Sequence, residues 1–351
     1  MKTVLNSLKE GTWFKLICGA SYQHLPAVRN LTLAYTLAGA DCIDVAADPA
    51  VIVAAKSAIK VATSLGKTAQ AKGFLYQNPP ILMVSLNDGE DPHFRKAFFE
   101  STRCPVDCPR PCEQICPAGA ISFSGVLAQQ CYGCGRCLPI CPHQLIEARS
   151  YVSTPGAIAP ILYDMGIAAI EIHTQVGRNT DFHRLWQAIA PYQAQLQILA
   201  ISCPDGENLR EYLHSLAQIV KSFPGALIWQ SDGRPMSGDI GLGTTHAAIK
   251  LAKKVLKAGL PGSVQLAGGT NNYTVTKLIE QNLLKTGDRS SHPYVAGVAY
   301  GSYARSLLLP ILDELEALNP SLPHLEDYPS LLWQAVDLAH NLVSQIKQLE
   351  V

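Results

Sequence analysis

The chain has 351 residues, of which 48% are hydrophobic and 16% charged, and its formal net charge is zero. This composition supports a sizeable core and excludes wholesale disorder, and the lack of a long basic run argues against nucleic acid as a partner. We find neither an export signal nor a transmembrane segment, so we expect a soluble, cytoplasmic protein. Its eleven cysteines are then metal ligands or buried thiols rather than disulfides.

Short apolar runs alternate with helical patterns along most of the chain. The predicted strands cover residues 13–18, 41–46, 81–86, 168–172, 196–201, 226–229, 264–266 and 294–298. The predicted helices cover about 25–38, 49–62, 158–165, 182–190, 209–220, 245–257 and 273–284, and a further helix starts near Tyr303. Eight buried strands that each precede a helix predict an α/β fold, a (β/α)₈ TIM-like barrel. The alternative is an open doubly wound sheet.

The strand–helix rhythm breaks once, which defines four segments. We assign residues 1–88 and 153–318 to the two parts of the barrel, 89–152 to an inserted domain after strand three, and 319–351 to a helical tail. The tail contains an amphipathic helix over about 331–349. This helix either packs across the barrel or docks a partner.

The inserted segment carries eight cysteines in two related runs. The second run has the spacing C-x₂-C-x₂-C-x₃-C-P of bacterial ferredoxins, and the first ends in the same Cys-x₃-Cys-Pro. The two runs are related by an internal repeat with a period of 25 residues, and a small hairpin is predicted over 121–128 between them. The cysteines are Cys104, Cys108, Cys112 and Cys116 in the first run, and Cys131, Cys134, Cys137 and Cys141 in the second.

This layout predicts two [4Fe–4S] clusters with crossed ligation. In two-cluster ferredoxins, the last cysteine of each run binds the other run's cluster. We therefore expect Cys116 to join the cluster of the second run, and Cys141 to join Cys104, Cys108 and Cys112. The wider spacing in the first run leaves [3Fe–4S] open for that cluster. Zinc and a disulfide framework are alternatives that the spacing disfavours.

The strand ends predict further features at the mouth of the barrel. The glycine-rich segments at Gly268, Gly269 and Thr270 and at Gly301 and Ser302 follow strands seven and eight. Such loops can present backbone N–H groups to a phosphate, so a phosphate-bearing ligand such as FMN is one hypothesis. The alternative is that these glycines only form tight turns.

Two other observations concern the barrel strands. The ends of strands four, five and six carry no lysine, the residue that flavin-binding barrels usually present to the flavin, and His173 at the end of strand four is expected to be structural. Cys18, Cys42 and Cys203 lie in or at the ends of strands and are expected to behave as small buried hydrophobes, although their roles stay open.

The motifs together resemble one known family. Residues 104–141 set in a barrel, with 268–273 (GGTNNY), 300–302 (YGS) and 328–333 (YPSLLW), are similar to the LdpA family of cyanobacterial light-dependent period proteins. The resemblance covers the whole chain and implies an iron–sulfur protein that reports cellular redox state to circadian clock proteins. It implies the eight cysteines as cluster ligands, and it assigns no role to any barrel residue.

Three functions compete for this architecture. The first is a redox sensor that receives electrons from a redox partner or the quinone pool and alters its contacts with clock proteins. The second is an oxidoreductase in which the clusters feed a flavin at the barrel mouth. The third is a plain electron carrier, which the balanced charge of the insert disfavours. The resemblance favours the sensor.

Overall fold

The computed structural model describes residues 4–19, 24–89, 95–116, 119–128, 130–131, 135–150, 155–233, 241, 243–285, 292–318 and 323–349. Its main sheet is a closed barrel of eight strands, in which each strand is parallel to both of its neighbours. The strands are β1 (Trp13–Gly19), β2 (Cys42–Ala46), β3 (Ile81–Asn87), β8 (Ala169–His173), β9 (Ile198–Pro204), β10 (Ala226–Asp232), β11 (Ser263–Ala267) and β12 (Val295–Tyr300).

The pairing of the first and last strands distinguishes the predicted barrel from its alternative, the open doubly wound sheet. β1 pairs with β12 in parallel, with Trp13 opposite Gly297, so the sheet has no open edge at its first strand. The predicted barrel is confirmed and the open doubly wound sheet is wrong. A side chain at Gly297 would place its Cβ 2.3 Å from the carbonyl oxygen of Trp13, so this glycine allows the closing strands to approach.

Helices surround the barrel and follow its strands. Those after the barrel strands are α2 (Leu25–Ala38), α3 (Pro49–Ala71), α6 (Pro155–Asp164), α7 (Asn179–Ile189), α8 (Leu209–Ile219), α9 (Thr244–Lys257), α10 (Thr274–Glu280) and α11 (Ser302–Leu318). A short helix, α1 (Asn6–Glu10), precedes β1, and short 3₁₀ turns lie at Ser101–Arg103, Ala190–Gln195 and Leu325–Asp327.

Local sequence signals explain where two of these helices begin or end. Asp48 accepts a hydrogen bond from Ala50 N–H at the start of α3, and Gly39 ends α2 with a φ of 102°.

The tail helix, α12 (Pro329–Lys347), packs on the outside of the barrel. Its apolar face is buried against α2 and α11, and Trp333 stacks on Phe74 with ring centroids 5.8 Å apart. Arg29 of α2 forms an ion pair with Glu326 just before the helix. The tail therefore covers the barrel, as the first of the two interpretations predicted, and its apolar face is already occupied.

The helix α3 is long and apolar enough to cross a membrane by length and composition alone. In the structure it follows β2 and packs against α2, with Val51, Ile52, Ala55 and Ala58 buried. A buried core helix passes the same test, and this position in the barrel accounts for its apolar face.

The cysteine-rich segment lies between β3 and α6, in the third βα loop. It contains a stem of two antiparallel strands and a small hairpin. Its elements are β4 (Arg95–Phe98), α4 (Pro111–Ile115), β5 (Ile121–Ser122), β6 (Gly125–Val126), α5 (Cys137–Ile140) and β7 (Glu147–Ser150). Because βα loops lie at the C-terminal end of the barrel strands, the insert stands at the barrel mouth, as predicted.

Candidate iron–sulfur site and barrel mouth

The structure describes seven of the eight predicted ligands, and Cys134 lies outside the described residues. Cys112 lies in the first turn of the short helix α4 and Cys137 begins α5, and these two helices pack together. Both cysteines are buried in a small cluster with Phe99, Ile121 and Ile146. The core of the insert is thus made partly of the predicted ligands themselves.

One predicted ligand set lies together. Burial, followed by the nearby thiols of Cys108 and Cys141, raises the pKa of Cys104. Burial also raises the pKa of Cys112, with smaller contributions from Cys141 and Cys104. Cys141, from the second run, therefore lies near the cysteines of the first run, as crossed ligation requires.

Backbone amides point at the sulfurs of the other predicted set. Ala97 N–H donates to the Sγ of Cys131 over 3.4 Å, and Ala120 N–H donates to the Sγ of Cys116 over 3.3 Å. Such N–H donors stabilise negative charge on sulfur, which suits thiolate ligands of a redox cluster.

The geometry of the cysteines is unlike that of a single-ion site. Within the described residues, no three His, Cys, Asp or Glu side chains converge as the ligands of one metal ion would. The thiolates of a cubane cluster each bind a different iron, so they surround a larger volume than zinc ligands do. The donor set therefore suits iron–sulfur clusters better than zinc.

The stem of the insert is joined to the barrel by a buried ion pair. The Nζ of Lys96 in β4 lies 2.6 Å from the Oδ2 of Asp48, and the two side chains are 5% and 0% exposed, respectively. The same ammonium donates to the carbonyl oxygen of Ala128, beyond the hairpin. Asp48 is the residue that caps α3. Lys96 thus connects a barrel helix to the insert, one residue from the amide that donates to Cys131.

A second joint, that is, a second set of contacts between the insert and the barrel, lies at the second cysteine run. Arg136, next to Cys137, lies 2.8 Å from the Nε2 of His24 and 3.4 Å from an Oε2 of Glu316 in α11. His24 lies 3.2 Å from Glu316. Burial and the Arg136 charge hold the pKa of His24 below its ordinary value, against the opposing effect of Glu316. This joint is more exposed than the Lys96–Asp48 pair.

The predicted phosphate loops are tight turns with their own hydrogen bonds. Gly268 and Gly269 have φ angles of 68° and 92°. The hydroxyl of Thr270 donates to Ala299 O, and Ser302 accepts a hydrogen bond from Arg305. Gly301 lies between β12 and α11. These residues all lie at the barrel mouth, and a phosphate ligand there stays a prediction.

The three remaining cysteines are buried in the barrel, as expected of small hydrophobes. Burial raises the pKa of Cys18 and of Cys203 to about 12, and it raises the pKa of Cys42 well above its ordinary value. Thiols with such raised pKa values are poor nucleophiles at neutral pH.

Sequence reasoning missed a charged layer inside the barrel. Lys15 of β1 is fully buried, and it forms ion pairs with Asp44 of β2 and Glu171 of β8. Asp44 and Glu171 hold the pKa of Lys15 above its ordinary value, although burial alone would lower it. The sequence did contain a signal of this layer. Side chains alternate between the two faces of a strand, and Lys15, Asp44 and Glu171 each interrupt an apolar strand at a position that points into the barrel.

Comparison with known proteins shows which family the chain is similar to. Residues 104–152 match the family described as "LdpA Fe-S cluster-binding domain", and residues 161–345 match "Light dependent period A C-terminal domain". A relative named "Light dependent period A" from Synechococcus elongatus is 52% identical over 344 residues, covering 98% of this chain and 94% of its own. The insert is therefore an iron–sulfur cluster-binding domain.

The comparison with solved structures also matched a synthase. It is (S)-3-O-geranylgeranylglyceryl phosphate synthase from Thermoplasma acidophilum, in complex with sn-glycerol-1-phosphate. The match has a TM-score of 0.41 and 11% identity, and it covers 99% of this chain and 100% of the other. A likeness this distant says nothing about the ligands of this chain.

Proposed function

The chain belongs to the light dependent period A family, and from that premise we propose that it is a redox sensor with two [4Fe–4S] clusters. In this proposal, the redox state of the clusters changes the contacts of the protein with circadian clock proteins. The protein itself is cytoplasmic in this proposal, and it receives electrons from a redox partner or from the quinone pool. The ligands are the eight cysteines of the two runs, with [3Fe–4S] as the alternative for the cluster of the first run.

The contacts around Cys131 and Lys96 are the observation that supports the sensing step. Cys131 accepts a hydrogen bond from Ala97 N–H, and the neighbouring Lys96 holds both Asp48 and the Ala128 carbonyl. When bound, an iron–sulfur cluster accepts and releases single electrons, so the charge beside this stem varies. A buried ammonium responds strongly to a nearby change of charge because screening there is weak.

The Lys96 ammonium is therefore attracted both to Asp48 in the barrel and to negative charge near Cys131 in the insert. Negative charge near Cys131 draws the ammonium towards the insert, and its absence leaves the ammonium to Asp48. Asp48 also caps α3 through its other carboxylate oxygen, so a change in the Lys96–Asp48 pair acts on the first turn of that helix. We infer that this joint transmits redox state from the insert to the barrel, where partners read it.

The second candidate function is a ferredoxin-fed flavin oxidoreductase. The observation in its favour is the position of the insert in the third βα loop, at the barrel end where active sites of this fold lie. In that case a flavin would occupy the mouth, with its phosphate at Gly268, Gly269, Thr270, Gly301 and Ser302. The sensor requires no flavin.

Anaerobic purification with cofactor analysis tests both functions. The sensor predicts about eight iron atoms per chain for two [4Fe–4S] clusters, EPR signals on reduction, and no flavin released by acid. Flavin at one equivalent per chain would replace the sensor by the oxidoreductase. A colourless preparation that contains no iron would contradict both.

A further inference from the structure

The barrel has a cavity of about 690 Å³ at the end opposite the insert. It is lined by α1, by the second half of α8 and by the segments that lead into β10 and β11. Since α1 and these segments precede their strands, the cavity lies at the N-terminal end of the barrel, away from the cysteine runs. Sites for small molecules usually have volumes of about 300–1,000 Å³. This cavity therefore has the size of a small-molecule site.

Much of the cavity lining is apolar. Phe223 and Leu227 are only partly buried and pack against the main core of the barrel, and Leu5 packs in the same way against the cluster around Trp13. The apolar side chains of the lining come from three parts of the chain: Leu5, Leu8, Ala217, Val220, Phe223 and Leu227. A molecule with an apolar body would remove this surface from water, which is favourable.

Hydrogen bonds fix the position of two walls of the cavity. The Nε2 of His214 in α8 donates to the carbonyl oxygen of Ala258 over 3.0 Å. The indole N–H of Trp229 in β10 donates to the carbonyl oxygen of Pro261, in the segment before β11, over 2.7 Å. Both contacts exist without a ligand, so the cavity is formed in advance. A preformed site binds with a smaller entropic cost.

The two lysines of the lining bring positive charge to the cavity from opposite walls. Lys9 belongs to α1, Lys221 follows α8, and both side chains are exposed. Within the part of the chain that the structure describes, neither ammonium has an ion pair or a hydrogen bond. The described lining contains no Asp or Glu. An anionic group at this cavity would therefore meet two cations without competing carboxylates, and lysine binds carboxylate or phosphate as a point charge.

The combination of these two features selects a class of ligand. A small inorganic anion would pair with the lysines but leave the apolar lining in contact with water. A neutral apolar molecule would cover the lining but leave both ammonium groups without a partner. A molecule that carries an apolar body and an anionic group satisfies both parts of the cavity.

We propose that this cavity binds a free anionic amphiphile, which is a small molecule with an apolar body and one carboxylate or phosphate group. The body lies against Phe223 and Leu227, and the anionic group pairs with Lys9 and Lys221. The site shares no residue with the cysteine runs, and the proposal does not depend on the redox function.

Calorimetric titration of the full-length, cluster-loaded protein with octanoate at low ionic strength tests the proposal. Octanamide is the matched neutral probe, because it has the same chain and lacks the charge. Acetate has the charge and lacks the chain. We expect saturable binding of octanoate, at least threefold weaker binding of octanamide, and no measurable binding of acetate.

Lysine variants locate the bound molecule. Lys221→Gln should weaken octanoate binding about threefold, since exposed charge pairs contribute modestly, and the double variant with Lys9→Gln should weaken it about tenfold. Lys221→Glu should reverse the preference, so that octylammonium binds more tightly than octanoate. The control is Lys253→Gln, which changes an exposed lysine of α9 outside the lining and should leave binding unchanged.

Circular dichroism establishes that each variant is folded, which is expected because the changed lysines are exposed. No saturable binding of octanoate, equal binding of octanoate and octanamide, or full binding by the folded double variant would overturn the proposal. Sedimentation with phosphatidylglycerol vesicles, or self-association in analytical ultracentrifugation, would also overturn it if Lys221→Glu abolished that behaviour and octanoate did not bind. The cavity would then face a membrane or a second copy of the chain.

Discussion

The insert and the barrel are held together by different means. The barrel buries a large continuous core of aliphatic and aromatic side chains from all its strands. Among the residues of the insert that the structure describes, five buried side chains form its own cluster, and two of these are Cys112 and Cys137. Small domains with thin cores usually depend on metals or disulfides. We therefore expect cluster loss to unfold the insert while the barrel survives.

The largest expected effect follows from removing one cluster ligand. Cys112→Ala should lower the iron content by about half, because one of two four-iron clusters loses a ligand. It should also expose the insert to proteases, since Cys112 is part of its core. Iron analysis, EPR and limited proteolysis measure these effects.

The matched control is Cys203→Ala, which removes a buried barrel cysteine outside the insert. It should retain full iron content and a protease-resistant insert. If Cys112→Ala keeps all its iron and stays resistant, the dependence of the insert on its clusters is wrong.

The next effect concerns the joint between the two regions. Lys96→Met leaves the fully buried Asp48 carboxylate without its cation. Breaking a buried pair in this way costs about 3–5 kcal/mol. We expect a loss of this size in the free energy of unfolding, measured by urea denaturation. Lys60→Met, which changes an exposed lysine of α3, should stay within about 0.5 kcal/mol of the wild type. Equal effects of the two variants would show that the joint is not important.

Inside the barrel, Asp232 should destabilise the fold at neutral pH. Its pKa is raised from 3.8 to about 6 in the native state, so the native state binds more protons than the unfolded state between these values. Stability therefore falls as pH rises through this window and then stays lower. Around Asp232 lie His173, Glu171, Lys15 and Ser202.

Asp232→Asn should remove this cost. We expect the variant to be more stable than the wild type at pH 7.5, by no more than about 3 kcal/mol, and to lose this advantage near pH 4. Thermal unfolding at both pH values measures the difference, and the control is Asp205→Asn, which changes an exposed carboxylate that pairs with Lys254. An advantage that does not change with pH would contradict the assigned pKa.

The smallest effect is expected at the second joint. Arg136→Gln breaks the contacts with His24 and Glu316, whose side chains are partly exposed. Exposed ion pairs contribute about 0–1 kcal/mol, so the free energy of unfolding should change by no more than that. A loss as large as that of Lys96→Met would make Arg136 an equal anchor of the insert.

The two regions also differ in how far the sequence predicts them. All eight barrel strands lie where their apolar runs predicted, because a buried parallel strand is a local pattern. The cysteine spacing likewise identified the insert. The helix ends were predicted less accurately. The helix α3 continues to Ala71, past its predicted end at residue 62, and α10 ends at Glu280, before its predicted end at residue 284.

What sequence reasoning missed depends on distant contacts. The Lys96–Asp48 pair and the stem of β4 and β7 form only once the chain has folded. Lys15 and Glu171 are 156 residues apart. Inward alternation could have marked each of them as buried and polar, but their pairing depends on strand order and register, which one sequence does not contain.

Hydrogen–deuterium exchange of the oxidised and the reduced protein, both prepared without air, tests the central claim most directly. The account predicts different amide exchange in β4 and in the first turn of α3, around Lys96 and Asp48, with α8 unchanged. Identical exchange in both states throughout the chain, with EPR showing that the clusters were reduced, would contradict it.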